Sequence, residues 1–85
     1  MVDCKVRVYL TRWCFDCRRV TSYLSSRQIP YDSINIDQDK EGEAFVLETN
    51  KGFRSVPTIV FPDGSILVEP SNDVLSEKLT ASNLV

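Results

Sequence analysis

The sequence passes from a predicted strand into a predicted helix across residues 5–17, KVRVYLTRWCFDC. Over the first six of these positions, charged and apolar residues alternate before the chain turns apolar at Tyr9 and Leu10, which is the period-two signature of a strand. From Cys14 to about Gln28, apolar residues recur at spacings of three and four, which indicates one buried helical face. Pro30 predicts the end of this helix, because the residue before a proline disfavours the α region. Cys14 and Cys17 therefore stand where the strand gives way to the helix.

The rest of the chain gives further strand and helix signals and then a hairpin. The predicted elements are a strand at 31–36, a helix at 40–50, strands at 58–61 and 66–68, and a last helix capped by residues 70–72. A Pro-Asp-Gly turn at 62–64 joins the last two strands. A β-α-β unit implies parallel strands with a right-handed crossover, whereas the hairpin adds an antiparallel strand. We therefore expect an α/β fold of order β-α-β-α-β-β-α, with a four-stranded mixed sheet and three helices.

Length and composition indicate one domain, 1–85, of ordinary globular type. The 85 residues are 42% hydrophobic and 26% charged, with 3 Gly and 4 Pro, which excludes a collagen, a disordered tail and a disulfide-dense scaffold. No apolar run exceeds four residues, whereas a membrane-spanning helix needs about 20. The first residues lack the apolar segment of a secretory signal. We expect a cytoplasmic monomer that makes no contact with a membrane.

The net charge of −2 conceals an uneven distribution along the chain. Residues 1–30 carry six basic and two acidic side chains, whereas residues 31–85 carry four basic and ten acidic ones. No basic run is longer than two residues, so we expect no nucleic-acid partner. The pair Cys14 and Cys17 lies in the positive segment.

The spacing of Cys14 and Cys17 suits redox chemistry. Residues three apart on a helix lie on one face, roughly 5–6 Å from each other, which is within the separation that a disulfide tolerates. Cys14 is predicted at the helix N-terminus, where unpaired N–H groups and the dipole favour a thiolate, the nucleophile of disulfide exchange. Cys17 falls inside the first turn and is expected to be less exposed. We therefore predict that Cys14 attacks, that Cys17 resolves, and that the two form a disulfide.

Two cysteines at this spacing also occur in other kinds of site. Structural zinc usually takes four Cys or His ligands, but the sequence has no histidine and only one further cysteine, Cys4. We therefore expect no metal site within one chain. A metal or iron–sulfur carrier that uses Cys14, in a dimer, and an interaction module with a vestigial cysteine pair remain as alternatives. Cys4 is interpreted as a bystander or as an additional oxidisable thiol.

Several segments carry a resemblance to a known family. Residues 9–17 (YLTRWCFDC), 29–31 (IPY), 35–37 (NID) and 55–58 (SVPT) resemble a glutaredoxin, which has the thioredoxin fold. The resemblance covers about residues 5 to 80. Within the family, 61–65 (FPDGS) with 69–71 (EPS) is similar to the mycoredoxins of actinobacteria. The segment 52–54 (GFR) is similar instead to redoxins that supply electrons to ribonucleotide reductase.

This resemblance implies a thiol–disulfide oxidoreductase that reduces protein disulfides or mixed disulfides between a protein and a small thiol. It implies no bound cofactor. A low-molecular-weight thiol of the glutathione or mycothiol type would be the co-substrate, and a flavoprotein reductase is the other source of electrons. The alternative within the family is an electron donor for ribonucleotide reductase that is recycled by thioredoxin reductase.

The resemblance also implies which residues form the site. Pro57 is expected to follow a cis peptide bond and to lie opposite the cysteines, with the backbone of Val56 pairing with the substrate; the residue-based alternative is that Pro57 simply begins a strand. The family's Gly-Gly before the last helix is absent from 68–73 (VEPSND). The remaining predicted contacts to substrate or small thiol are Arg12, Trp13, Phe15, Arg54, Ser71, Asn72 and Asp73. Arg54 is equally explained as a solvated loop cation, and Trp13 as an anchor of its loop.

Overall fold

The computed structural model describes residues 5–81, which form three helices and one sheet. The elements are β1 (Val6–Leu10), α1 (Phe15–Ser26), β2 (Tyr31–Asn35), α2 (Lys40–Thr49), β3 (Thr58–Val60), β4 (Ile66–Val68) and α3 (Asn72–Ala81). Their order confirms the predicted β-α-β-α-β-β-α sequence of elements. Cys4 lies outside the described residues. No helix in the described part of the chain is both long and apolar enough to cross a membrane.

The sheet has the strand order β2-β1-β3-β4. β1 pairs in parallel with β2, from Val6 opposite Tyr31 to Leu10 opposite Asn35. β1 also pairs antiparallel with β3, and β3 pairs antiparallel with β4. The predicted mixed sheet is thereby confirmed. Because β1 is central, the loop that follows it comes close to the loop that precedes β3.

Apolar side chains fill both faces of the sheet. One cluster joins the sheet to α1 and α3 and includes Val8, Val20, Leu24, Leu75 and Leu79, all fully buried. A smaller cluster lies on the opposite face, where Tyr9 and Val60 pack with Val46 of α2. Helix α1 is thus fixed against the sheet along its buried face, and this packing orients its N-terminus.

Two helix ends differ from their sequence prediction for a local reason. Helix α1 ends at Ser26, ahead of Pro30, because Gln28 takes a left-handed conformation with φ of 59°. The N–H groups of Gln28 and Ile29 then donate to the carbonyls of Ser25 and Leu24, which closes the helix in the manner of a Schellman motif. Helix α2 ends at Thr49, shortly before Lys51 and Gly52, both of which have positive φ.

Candidate active site

Cys14 is the N-cap residue of α1 and has an extended backbone conformation. Its Sγ atom accepts a hydrogen bond from the N–H of Cys17 at 3.1 Å. N-cap side chains ordinarily carry oxygen, so here sulfur occupies the position that satisfies a free N–H of the first turn. The side chain is half-buried. A thiolate at this position would face backbone N–H groups and the positive end of the helix dipole, both of which stabilise negative charge.

Cys17 lies in a different environment. Its side chain is in the first turn of α1 and the residue is only 2% exposed. Burial raises the pKa of the Cys17 thiol from 9.0 to about 12, and its hydrogen bond with Cys14 adds to the increase. The negative charges of Cys14 and Asp16 act in the same direction, against a smaller lowering by the backbone of Thr11. Cys17 is therefore a protonated thiol at neutral pH, and the two cysteines are free rather than joined.

The loop before β3 brings Val56 and Pro57 to the cysteines. The Val56–Pro57 peptide bond is cis, as the resemblance implied. The carbonyl oxygen of Val56 lies 3.9 Å from the Sγ atom of Cys14. Pro57 is fully buried, and its own carbonyl accepts a hydrogen bond of 2.9 Å from the N–H of Glu69. The structure thus brings together Cys14, Cys17, Val56 and Pro57.

Two aromatic side chains project into solvent beside Cys14. Trp13 is 80% exposed and Phe15 is 86% exposed. The guanidinium of Arg12 lies over the Trp13 ring, 5.2 Å from its centre. A shallow cavity of about 200 Å³ is lined by Trp13, Cys14, Phe15 and Arg18. Arg18 is absent from the predicted site, although its position four residues after Cys14, one helical turn away, is a signal that would have identified it.

Arg54, which the sequence predicts either as a clamp for an anionic thiol or as a solvated loop cation, pairs with two carboxylates of its own chain. Its Nε atom donates to Glu43 of α2 at 2.9 Å, and its second terminal nitrogen donates to Asp37, which follows β2. The hydrogen bond to Asp37 is the main reason that the pKa of Arg54 is raised. Because Arg54 precedes Val56 by two residues, these ion pairs tie the loop that carries Val56 to α2 and to the segment that follows β2.

The start of α3 is connected to α1 through a residue that the sequence analysis did not select. Arg19 donates to the Oδ1 atom of Asn72 at 2.7 Å and to the carbonyl of Pro70 at 2.8 Å. The Oγ atom of Ser71 accepts from the N–H of Val74 at 3.2 Å, so Ser71 caps α3. Asp73 is exposed in the first helical turn. Asn72 and Ser71 thus already have partners within the chain.

No group of three or more Cys, Asp or Glu side chains within residues 5–81 is arranged to hold a metal ion. The positions of the two cysteines support thiol–disulfide chemistry. An accessible sulfur at a helix N-terminus can attack a disulfide, and a buried thiol one turn away can attack the adduct.

Comparison with known proteins gives a consistent assignment. The family model described as Glutaredoxin matches residues 6–66. A protein of Mycobacterium tuberculosis that is provisionally named a glutaredoxin is 38% identical over 79 residues, which cover 93% of this chain and 94% of that protein. Mycoredoxin 1 of Corynebacterium glutamicum is 38% identical over 65 residues, covering 76% of this chain and 80% of that protein.

The fold is shared with solved structures. The crystal structure of the thioredoxin-like protein BC3987 superimposes with a TM-score of 0.75 at 23% identity, covering 86% of this chain and 97% of that chain. At this identity the likeness establishes the thioredoxin-like fold, and the family follows from the sequence matches. The chain therefore belongs to the glutaredoxin family of thiol–disulfide oxidoreductases.

Proposed function

We propose that this protein reduces protein disulfides, or mixed disulfides between a protein and a small thiol, with Cys14 as nucleophile and Cys17 as resolving thiol. The observation that carries the proposal is the contrast between the two sulfurs. Cys14 is accessible at the end of α1 and accepts the N–H of Cys17 at 3.1 Å. Cys17 is buried and is held protonated by a raised pKa of about 12. Only Cys14 is therefore suited to make the first attack.

In the first step, the Cys14 thiolate attacks one sulfur of the substrate disulfide. A bond forms between Cys14 Sγ and that sulfur, the substrate S–S bond breaks, and the other substrate sulfur leaves as a thiolate that takes up a proton from water. The Val56 carbonyl supports this geometry, because it lies 3.9 Å from Cys14 Sγ and offers an acceptor to a backbone N–H of the bound substrate.

In the second step, Cys17 loses its proton and attacks Cys14 Sγ. The Cys14–Cys17 disulfide forms, and the second substrate sulfur leaves as a thiol after protonation, so two electrons pass from the protein to the substrate. Once Cys14 is in a mixed disulfide it carries no charge. The mixed disulfide therefore weakens two of the causes that raise the pKa of Cys17, namely the hydrogen bond with the Cys14 sulfur and the negative charge of Cys14. The largest cause, burial of Cys17, remains.

Turnover requires that the Cys14–Cys17 disulfide be reduced again. Two molecules of a small thiol do this by forming their own disulfide and restoring both protein thiols. We infer a thiol of the glutathione or mycothiol type, and Mycoredoxin 1 among the relatives favours mycothiol. The absence of the family's Gly-Gly from residues 68–73 argues against a conventional glutathione site. Re-reduction at each turnover places the proposed activity in a reducing compartment such as the cytoplasm.

A second candidate differs only in its reductant. The segment 52–54, which is similar to redoxins that serve ribonucleotide reductase, favours an electron donor recycled by a flavoprotein reductase. The two candidates predict different reduction potentials for the Cys14–Cys17 pair. A small-thiol-coupled enzyme is expected at roughly −200 to −230 mV, and a thioredoxin-like donor at about −270 mV or below.

The test is turnover of a protein mixed disulfide with three reductants supplied separately: glutathione, mycothiol, and NADPH with thioredoxin reductase. Turnover with either small thiol and a potential in the higher range supports the first candidate. Turnover with the reductase alone supports the second. The absence of turnover with all three, together with a Cys14–Cys17 pair that never closes reversibly, would overturn both.

A further inference from the structure

The surface around Cys14 combines exposed aromatic rings with arginine side chains. We call this the aromatic–arginine surface and define it by Arg12, Trp13, Phe15 and Arg18. Both rings are more than three-quarters exposed, and Arg18 and Phe15 line the same shallow cavity as Cys14. Trp13 and Phe15 stand on either side of Cys14 in the sequence, and both leave a large apolar ring in solvent. Contiguous exposed apolar surface of this kind marks binding sites.

The arginines of this surface carry charge that no carboxylate among the described residues pairs with. Within residues 5–81, neither Arg12 nor Arg18 has a carboxylate at ion-pair distance. The nearest acidic residue in sequence, Asp16, is engaged by Arg19 at 3.6 Å. Arg12 instead stacks on Trp13 at 5.2 Å. The surface therefore presents two cations beside two apolar rings, and its complement is an apolar group next to an anion.

We propose that the aromatic–arginine surface docks acidic, apolar segments of protein substrates, in which an aspartate or glutamate and an aliphatic or aromatic residue flank the oxidised cysteine. This inference rests on the proposed function and specifies its substrate class. The apolar side chain covers Trp13 and Phe15, and the carboxylate pairs with Arg18 or Arg12. A small thiol with carboxylates offers the charge but has little apolar surface to cover two rings, so the combination favours a protein segment.

The position of Val56 is consistent with such docking. Its carbonyl lies 3.9 Å from Cys14 Sγ, so a substrate backbone that pairs with Val56 passes directly over the reacting sulfur. The residues that flank the substrate cysteine then lie over the aromatic–arginine surface. We expect them, rather than distant parts of the substrate, to determine which disulfides react fastest.

The test uses the full-length reduced protein and three synthetic peptides, each disulfide-bonded through one cysteine to the same uncharged thiol, 2-mercaptoethanol. The cysteine is flanked by leucine and aspartate, by leucine and lysine, or by serine and aspartate. We expect the leucine–aspartate peptide to react about tenfold faster than the leucine–lysine peptide. High salt should reduce that ratio, because exposed charges are screened.

Substitutions test whether the aromatic–arginine surface causes the preferences for aspartate and for leucine. Arg18→Gln is expected to reduce the advantage of aspartate over lysine by about threefold or more. Phe15→Gln is expected to reduce the advantage of leucine over serine by a similar factor. The matched controls are Arg27→Gln, an exposed arginine at the far end of α1, and Phe53→Gln, an aromatic residue that is 70% exposed. Both controls should leave the two preferences unchanged.

Reduction of bis(2-hydroxyethyl) disulfide separates this inference from the proposed function, because that substrate has no flanking residues. If it is reduced but the three peptides react alike, the docking proposal is wrong and the proposed function stands. If Arg18→Gln slows only a glutathione or mycothiol mixed disulfide, the arginine serves a small thiol and the docking proposal is again overturned. If neither the small disulfide nor any peptide is reduced, both fail.

Discussion

The Sγ atom of Cys14 lies 3.9 Å from the carbonyl oxygen of Val56, a residue 42 positions further along the chain. The antiparallel pairing of β1 with β3 produces this approach, because it places the end of β1 beside the start of β3. Cys14 follows β1 through a short loop, and Val56 immediately precedes Pro57 and β3. The proposed nucleophile and the proposed acceptor for the substrate backbone are thus carried by loops at the same end of the two central strands.

The two thiols should differ strongly in their reaction with iodoacetamide. At about pH 7, Cys14 is expected to be modified at least tenfold faster than Cys17, because Cys17 is 2% exposed and is held as a thiol. Peptide mapping by mass spectrometry in a Cys4→Ser background measures both rates. Unfolding the protein should abolish the difference. Equal rates in the folded protein would contradict the assignment of Cys17 as the resolving thiol.

The raised pKa of Cys17 predicts a loss of stability at alkaline pH. In the unfolded chain the thiol ionises near 9.0, whereas in the folded protein it remains protonated until about 12. The folded state therefore holds the proton more tightly, so this contribution is complete below the unfolded pKa and is lost as the pH rises toward the folded value.

Denaturant unfolding of the reduced protein across this alkaline range tests the prediction. At a pH below the pKa of Cys17 in the unfolded chain, Cys17→Ala should be less stable than the parent, since it loses a buried side chain. The difference in free energy of unfolding between the two proteins should become smaller as the pH increases. Other groups titrate in both proteins and cancel in the comparison. A gap that stays constant with pH would show that burial does not protect the Cys17 proton.

Arg54 is expected to act on substrate binding through the loop that it holds. Arg54→Gln removes the ion pairs with Asp37 and Glu43, so the segment that carries Val56 loses its connection to β2 and α2. We expect KM for a peptide disulfide to rise about threefold with little change in kcat. The unfolding midpoint should change only slightly, because these ion pairs are exposed.

Two comparisons make the Arg54 result specific. Arg54→Lys should recover part of the lost affinity by pairing with one carboxylate. Lys5→Gln removes another exposed ion pair, with Asp32, and should leave KM unchanged. An equal fall in kcat and kcat/KM for Arg54→Gln would contradict a positioning role.

Arg19 is expected to stabilise the packing of α1 against α3. Its guanidinium donates to Asn72 and to the carbonyl of Pro70, so Arg19→Met leaves both acceptors without this partner. The expected loss is about 1–2 kcal/mol in the free energy of unfolding. Arg19→Lys should not restore it fully, because one ammonium group does not reproduce the forked geometry. A loss below about 0.3 kcal/mol would indicate that water replaces both contacts equally well.

Local sequence patterns predicted the fold and the position of the cysteine pair at the start of α1. The alternation in residues 5–10, the spacing of Cys14 and Cys17, and the turn at 62–64 each depend on neighbouring residues, and the structure contains the elements they imply. The cis bond before Pro57 followed from the family resemblance. The end of α1 was placed two residues late because nothing in the sequence signals the left-handed conformation of Gln28.

The sequence did not predict the long-range contacts of Arg19 and Arg54, whereas the approach of Pro57 to the cysteines followed from the family resemblance. Arg19 binds Pro70 and Asn72, more than 50 positions away. The partners of Arg54, Asp37 and Glu43, were not predicted, because they come near it only once β2 has joined the sheet and α2 has packed on it. An isolated arginine in a sequence does not reveal whether its anion is internal or external.

The most direct test of the central claim is to trap the first intermediate. A chain carrying Cys4→Ser and Cys17→Ser is incubated with a peptide disulfide, and the adduct is located by mass spectrometry. For this double variant the account predicts one peptide per chain, bound to Cys14. In the Cys4→Ser chain, where Cys17 is intact, it predicts that the peptide is released and that a Cys14–Cys17 disulfide forms. Absence of the adduct on Cys14, or a stable adduct that persists when Cys17 is present, would contradict the assignment of nucleophile and resolving thiol.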